Sequence, residues 1–404
     1  MLKPELLSPA RDFEQLDMSL CYGADAVYFG GTNFSLRASC GNFDSEEMRS
    51  AITLCHSKGV KAYVACNAVM NNNDLRELPG FFEKIADAGA DAVIVSDLGA
   101  MAVAKKHAPS VNVHISTQAG VFNHETARVF YDLGASRVIL ARELTLAEIS
   151  EIFAKKPPGL ELETFVHGSM CVAISGRCLL SHYFSGRDAN KGDCAQPCRW
   201  KYSLVEETRR DELWEIYEDG AMTHIMNSRD LCMIDHVDDL LKSGVVSLKI
   251  EGRMKSSYYA AVVTNAYRKA IDAALADVPL SKIWQQEVYK VSHREYSTGF
   301  YREPAGPGQQ LSGGIYTSQC AVAAFVESCD DDGEAVLSQR NKFGIGDTLE
   351  LLTPDDEPVK FTVTDLRDDS GKEIESAPHP MMRIRTKLPI QAPRLSIVRK
   401  YYDK

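Results

Sequence analysis

Short apolar runs alternate with helical patterns over the first 275 residues. Each run is rich in β-branched residues and ends in a polar residue or glycine before a helical segment begins. The eight runs are Leu6–Ser8, Ala26–Phe29, Ala62–Asn67, Ala92–Asp97, Val113–Gln118, Arg137–Arg142, Leu162–His167 and Val245–Glu251. The helix-like segments between them include 45–58, 79–88, 123–133 and 145–155. This alternation predicts parallel strands connected by helices.

A weak internal repeat supports the same prediction. The segments YGADAVYFGG, AGADAVIVSD, LGASRVILAR and SGVVSLKIEG each place a glycine before an apolar strand. Gly23, Gly89, Gly134 and Gly244 are therefore expected just past helix ends, with positive φ. Eight such units favour an α/β fold of the (β/α)8 TIM-like barrel type over an open sheet. No G-x-G-x-x-G follows the first strand, which disfavours a dinucleotide-binding fold.

The connection after the seventh strand is unusually long. Residues 168–243 form an insertion within a barrel domain predicted over 1–275. Loops that follow barrel strands lie at the face where such enzymes carry out catalysis, and long loops are commonly functional. Residues 276–312 are predicted to be a helical segment and a Gly/Pro linker. Residues 313–404 alternate like short strands, which predicts a small, barrel-like all-β domain.

Composition and charge narrow the class of protein. With 404 residues, 45% hydrophobic and 25% charged, the chain resembles an ordinary globular protein. It has neither a secretory signal at its start nor a run of eighteen apolar residues, so a cytoplasmic protein without a membrane span is expected. The net charge of −11 disfavours general coating of nucleic acid but allows local binding. Residues 381–404 hold seven Lys or Arg against Asp403, either as solvated strand edges or as a grip on RNA phosphates.

Five of the eleven cysteines lie in the long insertion. They are Cys171, Cys178, Cys194, Cys198 and Cys232. Thiols grouped in irregular chain indicate a metal or cluster site, and the wide, unequal spacing suits an iron–sulfur cluster better than paired zinc knuckles. A cluster needs four thiolate ligands and five cysteines are present, so the spacing does not decide which four bind. The remaining cysteines are expected to be core or incidental residues: Cys21, Cys40, Cys55, Cys66, Cys320 and Cys329.

Several segments resemble peptidase family U32, the collagenase-like peptidases. They are ETFVHGSMC at 163–171, SGRCLLS at 175–181, KPELLSPA, YGADAVYFGG, MNSRDLCMI, SLKIEGRMKSSYY and NKFGIGDTLELLTP. The chain is most similar to the branch that hydroxylates tRNA. This resemblance implies oxygen-independent formation of 5-hydroxyuridine at the wobble position in the tRNA anticodon loop, with prephenate as the hydroxyl donor.

The resemblance also implies a 4Fe–4S cluster, with zinc as a possible replacement in aerobic preparations. Cys171, Cys178 and Cys194 match the ligands of the family's clusters. The fourth ligand matches Cys232 in one type of relative and Cys198 in another, with Cys232 slightly preferred. The chain lacks part of an insertion that some branch members carry before EDGAMTHIMNS, which leaves the substrate less firmly implied.

Position along the barrel strands gives further site candidates. A dicarboxylate such as prephenate needs cations, and Arg142, Lys249, Arg253 and Lys255 lie at or beyond strand ends. Their alternative role is in rim salt bridges with Glu143 or Glu251. His167 ends the seventh strand and is a candidate proton donor or a supporting group. Asn67, Asp97 and Gln118 end strands three, four and five and are candidate substrate contacts.

Two other classes of function remain as alternatives. A peptidase could pair Cys171 with His167, although the sequence contains neither H-E-x-x-H nor G-x-S-x-G. That role for Cys171 leaves the other clustered cysteines unexplained. A non-catalytic RNA-binding protein with structural zinc is the third possibility.

Overall fold

A closed parallel barrel forms the first domain of this computed structural model. The structure describes residues 3–36, 41–171, 173–174, 177–200, 218–219, 222–223, 228–302 and 316–402. The first seven strands are β1 (Glu5–Pro9), β2 (Ala26–Gly30), β3 (Lys61–Cys66), β4 (Ala92–Val95), β5 (Asn112–Ile115), β6 (Arg137–Ile139) and β7 (Glu161–Ser169). The eighth, β11 (Ser247–Ile250), pairs in parallel with both β1 and β7 and closes the barrel. The TIM-like fold predicted from the alternation is confirmed.

Helices surround the barrel. They are α1 (Phe13–Cys21), α2 (Ser45–Ser57), α3 (Asn72–Asp87), α4 (Leu98–His107), α5 (His124–Asp132), α6 (Leu146–Lys155), α8 (Val237–Lys242) and α9 (Ser257–Leu275). The four glycines predicted after helix ends all have positive φ, for example 99° at Gly23 and 90° at Gly244. No helix in the described ranges is long and apolar enough to cross a membrane.

One predicted helix boundary is wrong. The segment predicted over 79–88 belongs to α3, which begins two turns earlier, at Asn72. Asn71 and Asp74 form a capping box there, each side chain accepting from the other's backbone N–H. Pro79 lies inside the helix rather than at its start. The capping signal therefore outweighs the proline as a marker of where this helix begins.

The insertion after β7 returns to the barrel through a short strand. Its described elements are α7 (Leu180–Ser185), β8 (Glu218–Asp219), β9 (Met222–Thr223) and β10 (Asp230–Cys232). Strand β10 pairs antiparallel with the end of β7, with Cys232 opposite His167. The cysteine-bearing chain is therefore attached at the carboxyl end of the barrel strands.

The second domain is an all-β unit. Helix α10 (Lys282–Glu287) and strand β12 (Tyr296–Ser297) precede it. Its strands are β13 (Cys320–Cys329), β14 (Glu334–Gln339), β15 (Phe343–Gly344), β16 (Thr348–Leu352), β17 (Val359–Thr362), β18 (Arg367–Asp368), β19 (Ser376–Ala377), β20 (Arg383–Lys387) and β21 (Ile397–Tyr401). Seven of them form one sheet, in which β17 and β18 are the edges.

A buried ionic cluster joins the two domains. The Arg399 guanidinium donates to both Glu287 carboxylate oxygens at 2.7 and 2.8 Å and, through Nε, to Glu350 at 2.8 Å. Lys290 donates to the same two carboxylates. Burial acts to raise the pKa of Glu350, but Arg399 and Lys290 outweigh it, so this pKa lies below its usual value. The ionised form of Glu350 therefore stabilises the domain boundary.

We expect the contribution of Glu350 to stability to depend on pH. Because its pKa is lower in the folded than in the unfolded chain, the contribution is complete above the unfolded value and is lost as the pH falls through the folded value. Urea unfolding of Glu350→Gln and of the unaltered protein should differ at pH 7, and that difference should shrink below about pH 4.5. Glu334→Gln, at an exposed pair with Arg367, serves as the control. A Glu350→Gln difference that stays constant with pH would contradict this assignment.

Candidate active site at the barrel mouth

A small polar cavity of about 50 Å³ lies inside the carboxyl ends of the barrel strands. Its polar and charged lining residues are Tyr28, Asn67, Ser116, Thr117, Gln118, Lys249, Glu251 and Arg253. Leu36, Ala65, Ile94, Ile139 and Phe165 supply the apolar part. Four sequence-predicted residues, Asn67, Gln118, Lys249 and Arg253, are therefore brought together at this mouth.

Lys249 is a buried cation that lines the cavity. Its ammonium donates to Glu163 Oε1 at 3.1 Å and lies 4.3 Å from the ring centroid of Tyr28. Glu163 is fully buried, so Lys249 is held between a carboxylate and an aromatic face. An ammonium has three N–H donors, and the contact with Glu163 uses one. Lys249 can therefore donate to an anionic group in the cavity.

Two amide side chains form the opposite side of the cavity. Asn67 follows β3 directly, and its Nδ2 donates to Gln118 Oε1 at 3.1 Å and to Ser116 Oγ at 3.3 Å. Ser116 also donates to the Gln118 amide oxygen. This connected set fixes the orientation of the two amides. It presents donors and acceptors of the kind that read the edge of a nucleobase.

Asp97 is placed outside the cavity lining. Strand β4 ends at Val95, two residues earlier than predicted, and Asp97 is the N-cap of α4. Its Oδ1 accepts from the Ala100 backbone N–H at 2.9 Å. The chain has already turned into the helix at this point, so the carboxylate satisfies a helix end instead.

The other predicted cations lie around the rim. Arg253 lines the cavity and also holds the loop after β2, donating to Ser35 at 2.8 Å and to Asn42 at 2.5 Å. Lys255 lies beyond the lining, where it donates to the Ser292 carbonyl at 3.0 Å.

Arg142 contacts the end of β7 rather than the cavity. It donates to the Ser169 carbonyl at 3.0 Å, and its guanidinium lies 5.3 Å from the Phe165 ring centroid. Its buried Nε has no hydrogen-bond partner within the described ranges. Arg142 therefore keeps one unused donor beside the start of the cysteine segment.

His167 lies in a buried aromatic cluster and does not line the cavity. The pairing of β7 with β11 shifts register between Lys249 and Ile250, so His167 faces Tyr267 and Tyr296. Its Nδ1 is 3.3 Å from the Tyr267 hydroxyl and its Nε2 is 3.2 Å from the Tyr296 hydroxyl. Burial lowers the pKa of His167 to about 3, so the ring is neutral at physiological pH. His167 therefore lies outside the cavity and packs among the tyrosines on the other side of the strand.

Three of the clustered cysteines interact electrostatically. The pKa of the Cys178 thiol is raised, first by burial and then by the nearby thiols of Cys171 and Cys194. Backbone N–H groups point at two of the sulfurs: Leu180 N is 3.4 Å from Cys178 Sγ, and Gln196 N is 3.4 Å from Cys194 Sγ. Such N–H donors stabilise thiolates and tune iron–sulfur sites. The donor chemistry therefore fits a thiolate-bound metal.

Polar side chains brace this cysteine segment. The Asn190 amide exchanges two hydrogen bonds with the Cys178 backbone, at 3.1 and 3.3 Å. Ser181 Oγ accepts from Ala195 N at 2.9 Å, which ties the chain beside Cys194 to α7. As arranged, no three His, Cys, Asp or Glu side chains in the described ranges are close enough to hold one metal ion.

The two candidates for a fourth ligand lie in different surroundings. Cys198 is in a 3-10 turn, Pro197–Arg199, that packs against α7. The Cys232 sulfur lies 4.0 Å from the Tyr267 hydroxyl, and burial raises the pKa of its thiol to about 12. Contact with α7 brings Cys198 toward the segment of Cys178, whereas Cys232 belongs to the cluster around His167.

The remaining cysteines match their expected roles where the structure describes them. Cys55, Cys66 and Cys320 are buried, and Cys21 and Cys329 are partly buried. Cys40 lies outside the described residues. All five described residues lie in or at the ends of regular helices and strands. They therefore behave as small core residues.

Comparison with known proteins identifies the family. The model of "Peptidase family U32" matches residues 11–310, and that of "Peptidase family U32 C-terminal domain" matches residues 318–399. The chain belongs to peptidase family U32. Both of its domains are therefore part of the family architecture, including the β domain.

Relatives in this family are named for RNA hydroxylation. "tRNA hydroxylation protein P1" of Bacillus subtilis is 36% identical over 391 residues, which cover 96% of this chain and 92% of the relative. "tRNA hydroxylation protein P" of Escherichia coli is 37% identical over 420 aligned positions, covering 94% and 92%. The "23S rRNA 5-hydroxycytidine C2501 synthase" of Escherichia coli is 34% identical over 68% of this chain and 40% of its own length.

Other residues that shape the candidate site are not predicted from the sequence. Tyr28, Ser116 and Glu251 line the cavity, and Glu163 holds Lys249. Glu163 carried a usable signal, because a charged residue within the apolar run ELETFV must either face a partner inside the barrel or lie at its end.

Proposed function

We propose that this protein is a tRNA hydroxylase that forms 5-hydroxyuridine at the wobble position without oxygen. The observation that carries the proposal is similarity of 36–37% identity, over at least 94% of the chain, to two proteins named for tRNA hydroxylation. The similarity spans the barrel, the cysteine insertion and the β domain. A shared reaction is the simplest reason for relatedness over all three parts.

The barrel mouth supports a hydroxyl donor with two carboxylates, for which we propose prephenate. Lys249 offers free N–H donors inside the cavity, and Arg253 lines the same space. Charge-assisted hydrogen bonds from such groups are the strongest available to a carboxylate. Lys249 and Arg253 would bind and orient the donor.

The amide pair on the opposite side supports binding of the uridine ring. Reaction at a ring carbon requires the base to leave its stack, and bases of an anticodon loop are already unpaired. Asn67 and Gln118 present hydrogen-bonding groups that match the polar edge of uracil. The cavity of about 50 Å³ is small, so entry of the base requires displacement of the surrounding loops.

The cysteine segment supports an iron–sulfur cofactor. Cys171, Cys178 and Cys194 would hold three irons of a 4Fe–4S cluster, with Cys198 or Cys232 as the fourth ligand. When bound, the cluster would supply electron transfer next to the mouth. The same thiols bind zinc, so protein handled in air would carry zinc instead. Leu180 N and Gln196 N donate to the sulfurs and would stabilise their ionised form.

The arrangement around His167 does not favour a cysteine peptidase. Such an enzyme needs an imidazole paired with its nucleophilic thiol. Both ring nitrogens of His167 face tyrosine hydroxyls instead. A pKa of about 3 also makes this ring a poor base near neutral pH.

Mass spectrometry of tRNA nucleosides tests the proposal. Deleting the gene in its own host should remove 5-hydroxyuridine and its derivatives from tRNA, and a plasmid copy should restore them. In vitro, anaerobically purified protein should form 5-hydroxyuridine in tRNA only when prephenate is added. Unchanged nucleosides in the deletion strain would remove the tRNA assignment.

A further inference from the structure

Four exposed tyrosines lie where the barrel meets the β domain. They are Tyr289, Tyr316, Tyr401 and Tyr402, with exposed fractions of 41, 37, 36 and 57%. Large aromatic side chains are ordinarily buried, because each removes a large apolar area from water. Together these four residues form what we call the tyrosine strip.

The strip begins beside the barrel mouth. Lys255, five residues beyond the end of β11, places its ammonium 4.1 Å from the ring centroid of Tyr316. Thr317 forms a bridge with His293, whose ring lies 5.5 Å from that of Tyr289. The strip therefore starts within reach of residues that follow a barrel strand.

The strip continues along the first and last strands of the β domain. Cys320, four residues after Tyr316, pairs with Tyr401. The Tyr402 backbone N–H donates to the Gln319 carbonyl at 3.0 Å. Backbone pairing thus places Tyr402 and Tyr401 beside Gln319 and Cys320, which follow Tyr316 by three and four residues.

Lysines accompany the rings. Lys360 is exposed on the edge strand β17, and its ammonium lies 5.1 Å from the Tyr401 ring centroid. Tyr401, Tyr402, Lys360 and Lys400 border an open groove of about 420 Å³. A groove that combines cations with aromatic faces matches the chemistry of RNA, which offers phosphates and flat bases.

Three of the carboxylates near the strip are paired with cations. Asp347 accepts from Lys400 at 2.9 Å. Glu350 is buried against Arg399, and Asp230 accepts from Arg294 at 2.7 Å. These three carboxylates therefore repel an anionic ligand less than unpaired carboxylates would.

Charge at the C-terminal end does not by itself create this surface. Four of the seven cations in residues 381–404 are bound to carboxylates: Arg383 to Glu327, Arg394 to Asp17, Arg399 to Glu287 and Lys400 to Asp347. The basic grip predicted from composition is therefore largely neutralised. The strip instead combines aromatic faces with the exposed Lys360.

We propose that the tyrosine strip binds the substrate RNA outside the barrel, with unpaired bases stacked on its rings and a phosphate on the exposed Lys360. This inference rests on the proposed function, since the RNA is the tRNA whose wobble base enters the mouth. Stacking tolerates any base, so the strip adds affinity rather than sequence choice.

Binding of a full-length tRNA transcript tests the strip. Tyr402→Ala should raise the Kd for tRNA at least about 5-fold, because one stacked base is lost. The KM for tRNA should rise with it while kcat is kept, because Tyr402 lies away from the cavity lining. Lys360→Gln should reduce the slope of log K against log salt by about 0.7, the effect of one phosphate contact on a single strand.

Matched substitutions elsewhere control for exposure and charge. Tyr131→Ala removes a tyrosine of 37% exposure on α5, and Lys372→Gln removes an exposed lysine next to β18, the opposite edge of the sheet. Both should leave Kd and the salt slope unchanged. All variants should keep the thermal unfolding temperature, since the altered side chains are exposed.

The outcomes separate the strip from the function. If the unaltered protein hydroxylates tRNA and the Tyr402→Ala variant binds tRNA equally well, the proposed RNA binding by the strip is wrong, whereas the proposed hydroxylase function is supported. If the unaltered protein neither binds nor hydroxylates tRNA, both proposals fall. Weaker tRNA binding by Tyr402→Ala, with Tyr131→Ala unaffected, supports the strip.

Discussion

Replacing Glu163 by alanine is expected to lower the free energy of unfolding by about 3–5 kcal/mol. Glu163 is fully buried and accepts from Arg137 at 3.0 Å, Lys249 at 3.1 Å and Ser247 at 3.0 Å. Without Glu163, Lys249 loses its carboxylate partner inside the barrel, and Arg137 loses one of its three carboxylate partners. Removing one member of a buried ion network leaves an uncompensated charge, which costs far more than the pair contributes. Urea unfolding at pH 7 measures the loss.

Glu161 offers a matched control on the same partner. Its Oε2 accepts from Arg137 Nε and Nη2 at 2.9 and 2.7 Å, but its side chain is 49% exposed. Glu161→Gln should therefore cost less than about 1 kcal/mol, because solvent replaces the lost contact. Equal losses for the two variants would show that burial does not decide the cost here.

The Glu163 network extends along the inside of the barrel. Glu5 accepts from Arg137, from the Tyr63 hydroxyl at 2.7 Å and from Lys61 at 3.1 Å. Residues on β1, β3, β6, β7 and β11 thus meet in one chain of ion pairs that ends at Lys249. A barrel interior is otherwise filled by apolar side chains, so these charges are retained at a cost in stability. That cost is consistent with a need to hold Lys249 at the mouth.

The barrel could be predicted from the sequence because the patterns that mark its strands and helices are local. Each apolar run and each glycine at a helix end reports on neighbouring residues, and Gly23 and Gly244 have the expected positive φ. The ion network could not be predicted, because Glu5 and Arg137 meet across 132 residues. Only the closed barrel brings such strands together.

Sequence patterns report local structure only, which also explains which site residues were predicted correctly. Asn67 and Gln118 were chosen as predicted strand ends, and both line the mouth. Asn67 follows β3 directly, whereas β5 ends at Ile115 and Gln118 lies in the 3-10 turn Thr117–Ala119. Asp97 was chosen by the same rule, but β4 ends at Val95 and Asp97 caps a helix. His167 is turned away by a change of register with β11, which no sequence pattern reports. The path of the backbone after each strand therefore decides whether a side chain enters the cavity.

Cys178→Ser is expected to abolish the cluster and, with it, tRNA hydroxylation. The thiols of Cys171 and Cys194 both act electrostatically on Cys178, and the Leu180 N–H donates to the Cys178 sulfur. Serine is nearly isosteric but a much weaker ligand for iron than thiolate. Anaerobically purified protein should hold about four irons and four sulfides per chain. The Cys178→Ser variant should fall to background in iron, sulfide and visible absorbance.

Cys329→Ser is the matched control for this loss, because Cys329 is also partly buried but lies in the β domain. It should keep its iron and its activity. Cys198→Ser and Cys232→Ser then identify the fourth ligand. Replacing the ligand should remove the iron, as Cys178→Ser does, and replacing the other cysteine should leave the iron content unchanged, as Cys329→Ser does. Contact with α7 places Cys198 near Cys178, whereas ligation by Cys232 requires its sulfur to leave the Tyr267 hydroxyl. Full iron content in Cys178→Ser would falsify the cluster assignment, and stoichiometric zinc in anaerobic protein would favour a structural metal instead.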